Sequence, residues 1–254
     1  MKLQVSLSRV GYQKKTILKD VSFSADSGTF TAVIGRNGSG KSTLLSCLAG
    51  TLPYEGTLLL GETELSSLSG RVHAQKIARM AQSLQTPHIT VRELVAFGRN
   101  PYLAPGQKPG EKDHAIVTQA LFDADLCDLA DCYLDRISGG EVRRAYLGMI
   151  LAQDTPVILL DEATAFLDAE YEAHFLSLLS RLHKELQKTI LFVMHNLEHA
   201  VAYADNIVYL ADGTCAFFGT TREFLATTLP EDGFSLRRFY AADGEETRVF
   251  FAAR

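Results

Sequence analysis

At 254 residues the chain can form one large α/β domain or two small ones, and 46% hydrophobic with 22% charged residues is an ordinary globular composition. The formal net charge of −5 gives no global basic field that would argue for nucleic acid. No apolar run approaches the roughly 18 residues that a membrane-spanning helix needs, and the start Met1-Lys2-Leu3-Gln4-Val5 lacks the apolar stretch of a secretory signal. A cytoplasmic protein is therefore expected, with any membrane role coming through a partner. Cys47, Cys127, Cys132 and Cys215 are scattered, without the second pair or nearby histidines that would complete a metal site, so reduced structural thiols are expected.

Residues 3–8 alternate apolar and polar, as a half-buried strand would. Gly11-Tyr12-Gln13-Lys14-Lys15 reads as a turn, followed by a strand-like run through Val21-Ser22-Phe23. Tyr12 could stack on an adenine ring, and a surface tyrosine beside a turn explains it equally well. Phe30-Thr31-Ala32-Val33-Ile34 is β-branched and apolar enough for a buried strand. Directly after it, Gly35-Arg36-Asn37-Gly38-Ser39-Gly40-Lys41-Ser42-Thr43 fits the phosphate-loop pattern G-x-x-x-x-G-K-[ST]. A helical run follows, with Gly50 placed to cap it. Strand, glycine loop and helix start aim backbone N–H groups at one point, which suits a polyphosphate. Lys41 can reach the β- and γ-phosphates, and the Ser42 hydroxyl can ligate Mg²⁺.

Residues 54–62 read as a hairpin strand and turn, whereas 74–82 fit helix and strand equally. Between about Thr90 and Ala152 the pattern is helical. Val91, Leu94, Val95 and Gly98 share one face, as do Ile116, Ala120 and the positions from Phe122 to Leu126. A Pro/Gly-rich loop spans 100–110 inside this block. Strand patterns return at 157–160, 190–194 and 207–210, with a helical stretch over 170–186. Buried strands alternating with helices indicate a mostly parallel sheet covered on both faces, interrupted by the helical block as an insertion.

Val157-Ile158-Leu159-Leu160-Asp161-Glu162 is a buried strand ending in two carboxylates. Parallel sheets bind ligands beyond the carboxyl ends of their strands, so these acids are expected to reach the phosphate loop. Asp161 would hold Mg²⁺ through water and Glu162 would polarise an attacking water. Ile137-Ser138-Gly139-Gly140-Glu141 forms a capping box, with Val142, Ala145, Met149 and Ala152 on one face of the helix beyond. Its two bare glycines also make a second anion site, although a cap alone would explain the segment as well. His195 follows the strand ending at Met194, where it could hydrogen-bond a γ-phosphate; a lone histidine at a strand end is more often structural.

Together these segments resemble the ABC ATPases over residues 3–223. Gly35 to Thr43 resembles the Walker A loop, Leu159-Leu160-Asp161-Glu162 the Walker B strand and Ile137-Ser138-Gly139-Gly140-Glu141 the signature motif. Phe166-Leu167-Asp168 looks like the D-loop, His195 like the switch histidine and Tyr12 like the aromatic that stacks on adenine. Gln85 matches the Q-loop glutamine by its place between Arg79-Met80-Ala81 and Thr90-Val91-Arg92, with Gln82 the second candidate. The resemblance implies a P-loop NTPase (RecA-like) α/β fold with a mostly parallel sheet core, an N-terminal antiparallel β subdomain and an inserted α-helical subdomain. Its divisions would be 1–85 with 153–225 for the catalytic core, 86–152 for the helical subdomain, and a C-terminal segment 226–254.

The resemblance further implies ATP as substrate, with Mg²⁺ held by Ser42, Gln85 and Asp161, and catalysis by Glu162, His195, Gln85 and Lys41. Nucleotide contacts would come from Tyr12, Gly35, Asn37, Gly38, Ser39, Gly40, Lys41, Ser42 and Thr43. Gly139 and Asp168 would be further nucleotide-binding residues, and each ATP would lie between Lys41 and Ser42 of one copy and Ser138 and Gly140 of a second copy in an ATP-sandwich dimer. Integral membrane permease subunits would be direct partners, a substrate-binding protein an indirect one, and nucleic acid none. The location implied is the inner face of the cell membrane, reached through the permease. The stretch from Thr90 to Tyr102 is similar to the ATPase subunits of iron–siderophore, haem and cobalamin importers, and residues 151–156 support that branch. The alternative is an ABC ATPase of a soluble iron–sulfur assembly system.

Four departures from the family pattern stand out: Glu141 for glutamine, Ile137 for leucine, Ala163 for the proline after the Walker B glutamate, and a short stretch between Gln85 and Thr90. Residues 231–254 carry no family motif.

Overall fold

The computed structural model describes residues 1–13, 15–164, 168–234, 236–243 and 246–253. In chain order, β1 (Leu3–Tyr12), β2 (Lys15–Ala25) and β3 (Phe30–Ile34) precede α1 (Lys41–Leu48). β4 (Glu55–Leu60) and β5 (Thr63–Glu64) lead to α2 (Gly70–Ala74) and β6 (Ile77–Met80). Then come α3 (Val91–Phe97), α4 (Glu111–Asp123), α5 (Gly139–Gln153), β7 (Val157–Asp161) and α6 (Ala169–Leu186). β8 (Thr189–Val193) and α7 (Leu197–Tyr203) precede β9 (Asn206–Ala211) and β10 (Thr214–Thr220). The chain continues through α8 (Thr221–Leu225) and α9 (Leu229–Phe234) to β11 (Leu236–Asp243) and β12 (Glu246–Ala253). Two compact units form, one from Met1–Ser66 with Leu191–Arg254 and one from Ser67–Ile190.

In the first unit an antiparallel sheet runs β2-β1-β4-β5. β1 buries Leu3, Val5, Leu7 and Val10 and exposes the residues between most of them, the alternation of a one-sided strand. It runs as far as Tyr12, so the turn expected over 11–15 is tighter, with Gln13 at φ 52°. β9 pairs with β3 in parallel (Val33↔Val208) and with β10 antiparallel. Every residue of β3 is buried, as a strand covered on both faces requires. Beyond the end of β8, the Met194 amide donates to the Val33 carbonyl at 3.1 Å. β11 and β12 form a separate two-stranded ribbon.

In the second unit β6 and β7 pair in parallel, Ile77↔Val157 to Met80↔Leu160, which resolves the ambiguous stretch as a strand after a short helix. α3, α4 and α5 enclose a core of Val91, Leu94, Val95, Val117, Ala120, Leu121, Ala124 and Ala145. The inward face of α4 corrects one expectation. Val117, Ala120 and Leu121 point inward while Phe122 is 67% exposed, because a 3.6-residue period carries the stripe from 117 to 121 and 124. α6 is amphipathic, burying Phe175, Leu176, Leu178, Leu179 and Leu182.

Candidate nucleotide-binding and catalytic elements

The phosphate loop leaves β3 at Gly35 and enters α1 at Lys41. A side chain at Gly35 (φ 153°) would overlap the Leu210 carbonyl oxygen, so only glycine lets the loop turn here against β9. Lys41 is buried, and its ammonium donates to the carbonyls of Gly35 (2.9 Å) and Arg36 (3.1 Å), spanning the loop it would share with a phosphate. The N-cap of α1 is Gly40, which has no side-chain cap, and the first turn carries no acid. Those first N–H groups therefore face outward as donors for an anion. Ser39 Oγ is buried without a hydrogen-bond partner, although buried hydroxyls are normally satisfied. An orphan hydroxyl beside uncapped N–H donors and an ammonium suits a polyphosphate.

The other expected residues of this unit lie at element ends, on loops and in α1. Tyr12 stands 52% exposed at the hairpin end of β1. Asn37 and Gly38 are exposed at the loop tip, and Thr43 is buried in α1. His195 is exposed at the bend between β8 and α7, where the Asn196 side chain caps α7 by accepting from Glu198 N at 2.8 Å.

In the second unit Asp161 closes β7, 2% exposed, and accepts from Arg79 Nη2 at 2.7 Å. Glu162 follows with φ 51°, a left-handed conformation that costs a non-glycine residue about 1–2 kcal/mol. That backbone turn sends its carboxylate to Gln82, whose Nε2 donates to Glu162 Oε2. β6 ends at Met80, so Gln82 is only two residues past the strand end. Gln85 lies further along the loop, where its backbone carbonyl accepts from Tyr146 OH at 2.8 Å. Ala163, standing where the family carries proline, is buried and accepts from Arg143 Nε at 2.8 Å.

Ser138 caps α5, accepting from Glu141 N at 3.3 Å while its own amide donates to Glu141 Oε2 at 2.7 Å. The departure at Glu141 thus serves the box. The Ser138 amide hydrogen bond, with the Ser138 hydroxyl and Arg144 assisting, holds the Glu141 carboxyl below the usual glutamate range. A Cβ at Gly140 would meet Tyr171 Cδ1 at 2.5 Å, so this glycine packs bare against the ring, while the space around Gly139 is open. Asp168 caps α6, its Oδ1 accepting from Tyr171 N at 2.9 Å. Phe166 and Leu167, expected in the D-loop, lie outside the described residues. Arg79, Arg143 and Tyr171 carry no local sequence signal, since their contacts arise from the pairing of β6 with β7, from α5 against the loop after β7, and from α5 against α6.

Among the described residues no group of three His, Cys, Asp or Glu side chains is placed to hold a metal, and no helix is long and apolar enough to cross a membrane. The Ser42 hydroxyl in one unit and the Asp161 carboxylate in the other are each hard oxygen donors of the kind Mg²⁺ takes, an ion commonly bound by one or two protein groups together with substrate phosphates.

The ABC transporter family model matches residues 18–165. The ferric enterobactin transport ATP-binding protein FepC of Escherichia coli (strain K12) is 36% identical over 230 residues, covering 90% of this chain and 85% of FepC. Among solved structures, a chain of an inward-facing metal-chelate type ABC transporter matches with TM-score 0.85 and 28% identity, over 98% of this chain and 96% of that one. The ATP-binding cassette MJ0796, solved as a dimer in a post-hydrolysis state with ADP and Pi, matches with TM-score 0.73 and 26% identity, over 87% of this chain and 99% of its own. With phosphate loop, strand-end acids and capped diglycine helix all present in a chain so matched, the protein belongs to the ABC transporter family.

Proposed function

We propose that the chain is the ATP-hydrolysing subunit of an importer for a ferric siderophore or a related iron complex, haem or cobalamin. The observation that carries the ATPase reading is Glu162, turned by a left-handed backbone onto the Gln82 amide directly after the buried Asp161. Lys41 and the first N–H groups of α1 bind the β- and γ-phosphates, with the Ser39 hydroxyl as a further donor, and Tyr12 stacks on the adenine. Ser42 and Asp161 would hold Mg²⁺, which would supply charge neutralisation at the phosphates. Glu162 takes the proton of the attacking water, His195 hydrogen-bonds the γ-phosphate, and Gln82 rather than Gln85 orients Glu162 and senses the metal.

Two copies act together. Each Ser138, Gly139 and Gly140 contacts the nucleotide held by the phosphate loop of the other copy, with Asp168 near the same contact. The open space at Gly139 and the dimeric MJ0796 relative support this. The divisions at 85, 152 and 225 mark the catalytic core, the helical part that couples to a permease, and the C-terminal segment. The permease places the subunit on the inner face of the cell membrane, with a substrate-binding protein as indirect partner and no role for nucleic acid. The names of the relatives support iron-complex import over soluble assembly.

The test is Glu162→Gln in light scattering with ATP and in ATPase assays. The variant is expected to bind ATP, accumulate as a dimer and lose turnover; full activity in the variant rejects the assignment of Glu162. For the transport reading, isolating the chain from its native cells should yield a stable complex with a membrane permease, and a stable complex with a soluble assembly factor alone rejects it.

A further inference from the structure

Asp161 is set in a charge pair that its strand pattern does not announce. Arg79 lies on β6, which pairs with β7 in the register Arg79↔Leu159 and Met80↔Leu160. The guanidinium therefore starts two residues short of Asp161 on the adjacent strand and reaches forward along it. Its Nη2 ends 2.7 Å from Asp161 Oδ2, with side-chain exposures of 22% for Arg79 and 3% for Asp161. An arginine keeps its charge under all ordinary conditions, so this carboxylate carries a permanent, poorly screened cation on one oxygen. Any divalent ion served by Asp161 meets that charge at short range. Two cations on one buried carboxylate repel each other where little water screens them.

We propose that Arg79 is a resident counter-cation of Asp161 and a positioning residue for the metal step. In the metal-free protein it balances the buried carboxylate and fixes its rotamer. On loading it opposes the divalent ion, so that metal binds tightly only when the phosphates of the nucleotide arrive with it and supply compensating negative charge. Arg79 is also three residues before Gln82, the donor to Glu162, so a shift of its guanidinium on metal entry is felt along one short segment that ends at the catalytic carboxylate. This inference rests on the reading of Asp161 as a metal-binding group.

The experiment uses the full chain, Mn²⁺ as a paramagnetic probe and a non-hydrolysable ATP analogue, with free Mn²⁺ read by electron paramagnetic resonance. Arg79→Met keeps length and removes charge. Without the analogue it is expected to bind Mn²⁺ about tenfold more tightly than the unaltered chain, because a like charge has been removed at short range, and with the analogue the gain should shrink as the phosphates compensate. Arg79→Lys, which keeps the charge, is expected to stay near the unaltered value. Metal-free R79M is expected to melt at lower temperature, with the loss recovered on adding Mn²⁺. A folded R79M with unchanged or weaker Mn²⁺ binding overturns the proposal and leaves Arg79 as a structural ion pair. Should R79M not fold, Arg79→Gln, which can still donate to Asp161, carries the same comparison. Asp161→Asn separates the two readings. If it leaves Mn²⁺ affinity unchanged, Asp161 is not a metal-binding group and the underlying reading fails; if it abolishes binding while R79M changes nothing, only the role of Arg79 fails.

Discussion

Replacing Gln82 by alanine removes the amide that donates to Glu162 Oε2 and leaves the left-handed backbone of Glu162 without that restraint. A hydrogen bond to a charged group contributes about 1.5–3 kcal/mol. At about 1.4 kcal/mol per decade, the loss corresponds to roughly a tenfold to hundredfold fall in turnover if the bond orients Glu162 in the transition state. KM for ATP should change little, because phosphate binding is assigned to the loop around Lys41. Gln85→Ala is the matched control. Its described hydrogen bond uses the backbone carbonyl, which alanine retains, so its turnover should stay within about twofold of the unaltered chain. Steady-state ATPase kinetics of the two purified variants decide the matter. A Gln85→Ala defect as large as that of Gln82→Ala would refute the assignment of Gln82.

The helical core should respond to Leu121→Ala with a loss of about 2–5 kcal/mol in chemical denaturation, whereas Phe122→Ala, one residue on and exposed, should fall within about 0.5 kcal/mol. Ser138→Ala should cost about 1 kcal/mol and lower Tm by roughly 2–4 °C, since it deletes the acceptor for the Glu141 amide. The Glu141 carboxyl titrates below its ordinary value of 4.5 in the folded protein, so its contribution is fully present above that pH and vanishes as pH falls through the depressed folded value. Glu141→Gln should therefore flatten the acid side of the stability profile below about pH 4.5, as followed by urea denaturation across pH. Burial pushes the Cys47 thiol up to about 12, while Cys127 is exposed. A thiol reagent at neutral pH should label Cys127 in the native protein and reach Cys47 only on unfolding.

Features coded by contiguous residues were legible before the structure. The strand, glycine loop and helix from Phe30 to Gly50 require a fixed local order, and Ser138 with Glu141 closes a box within one turn. Asp161 was found because a run of apolar residues marks the strand end beside it. Residues 74–82 fit two periods, so the end of β6, and with it the Gln82 contact to Glu162, is not legible in the sequence. Phe122 falls off the buried stripe of α4 because the 3.6-residue period turns 117, 121 and 124, and not 122, toward α3 and α5. The Arg79–Asp161 pair joins residues 82 apart in the chain, and only the parallel register of β6 on β7 brings them together.

The account stands most directly on mixing two inactive variants, Lys41→Ala in the phosphate loop and Gly140→Arg in the capped diglycine helix. Each is expected to lack ATPase activity alone. A mixed pair retains one complete site, formed by the intact loop of one copy and the intact helix of the other, so mixing should restore turnover. If the mixture stays as inactive as its components while a mixed dimer demonstrably forms, each chain completes its own site and the paired mechanism is wrong.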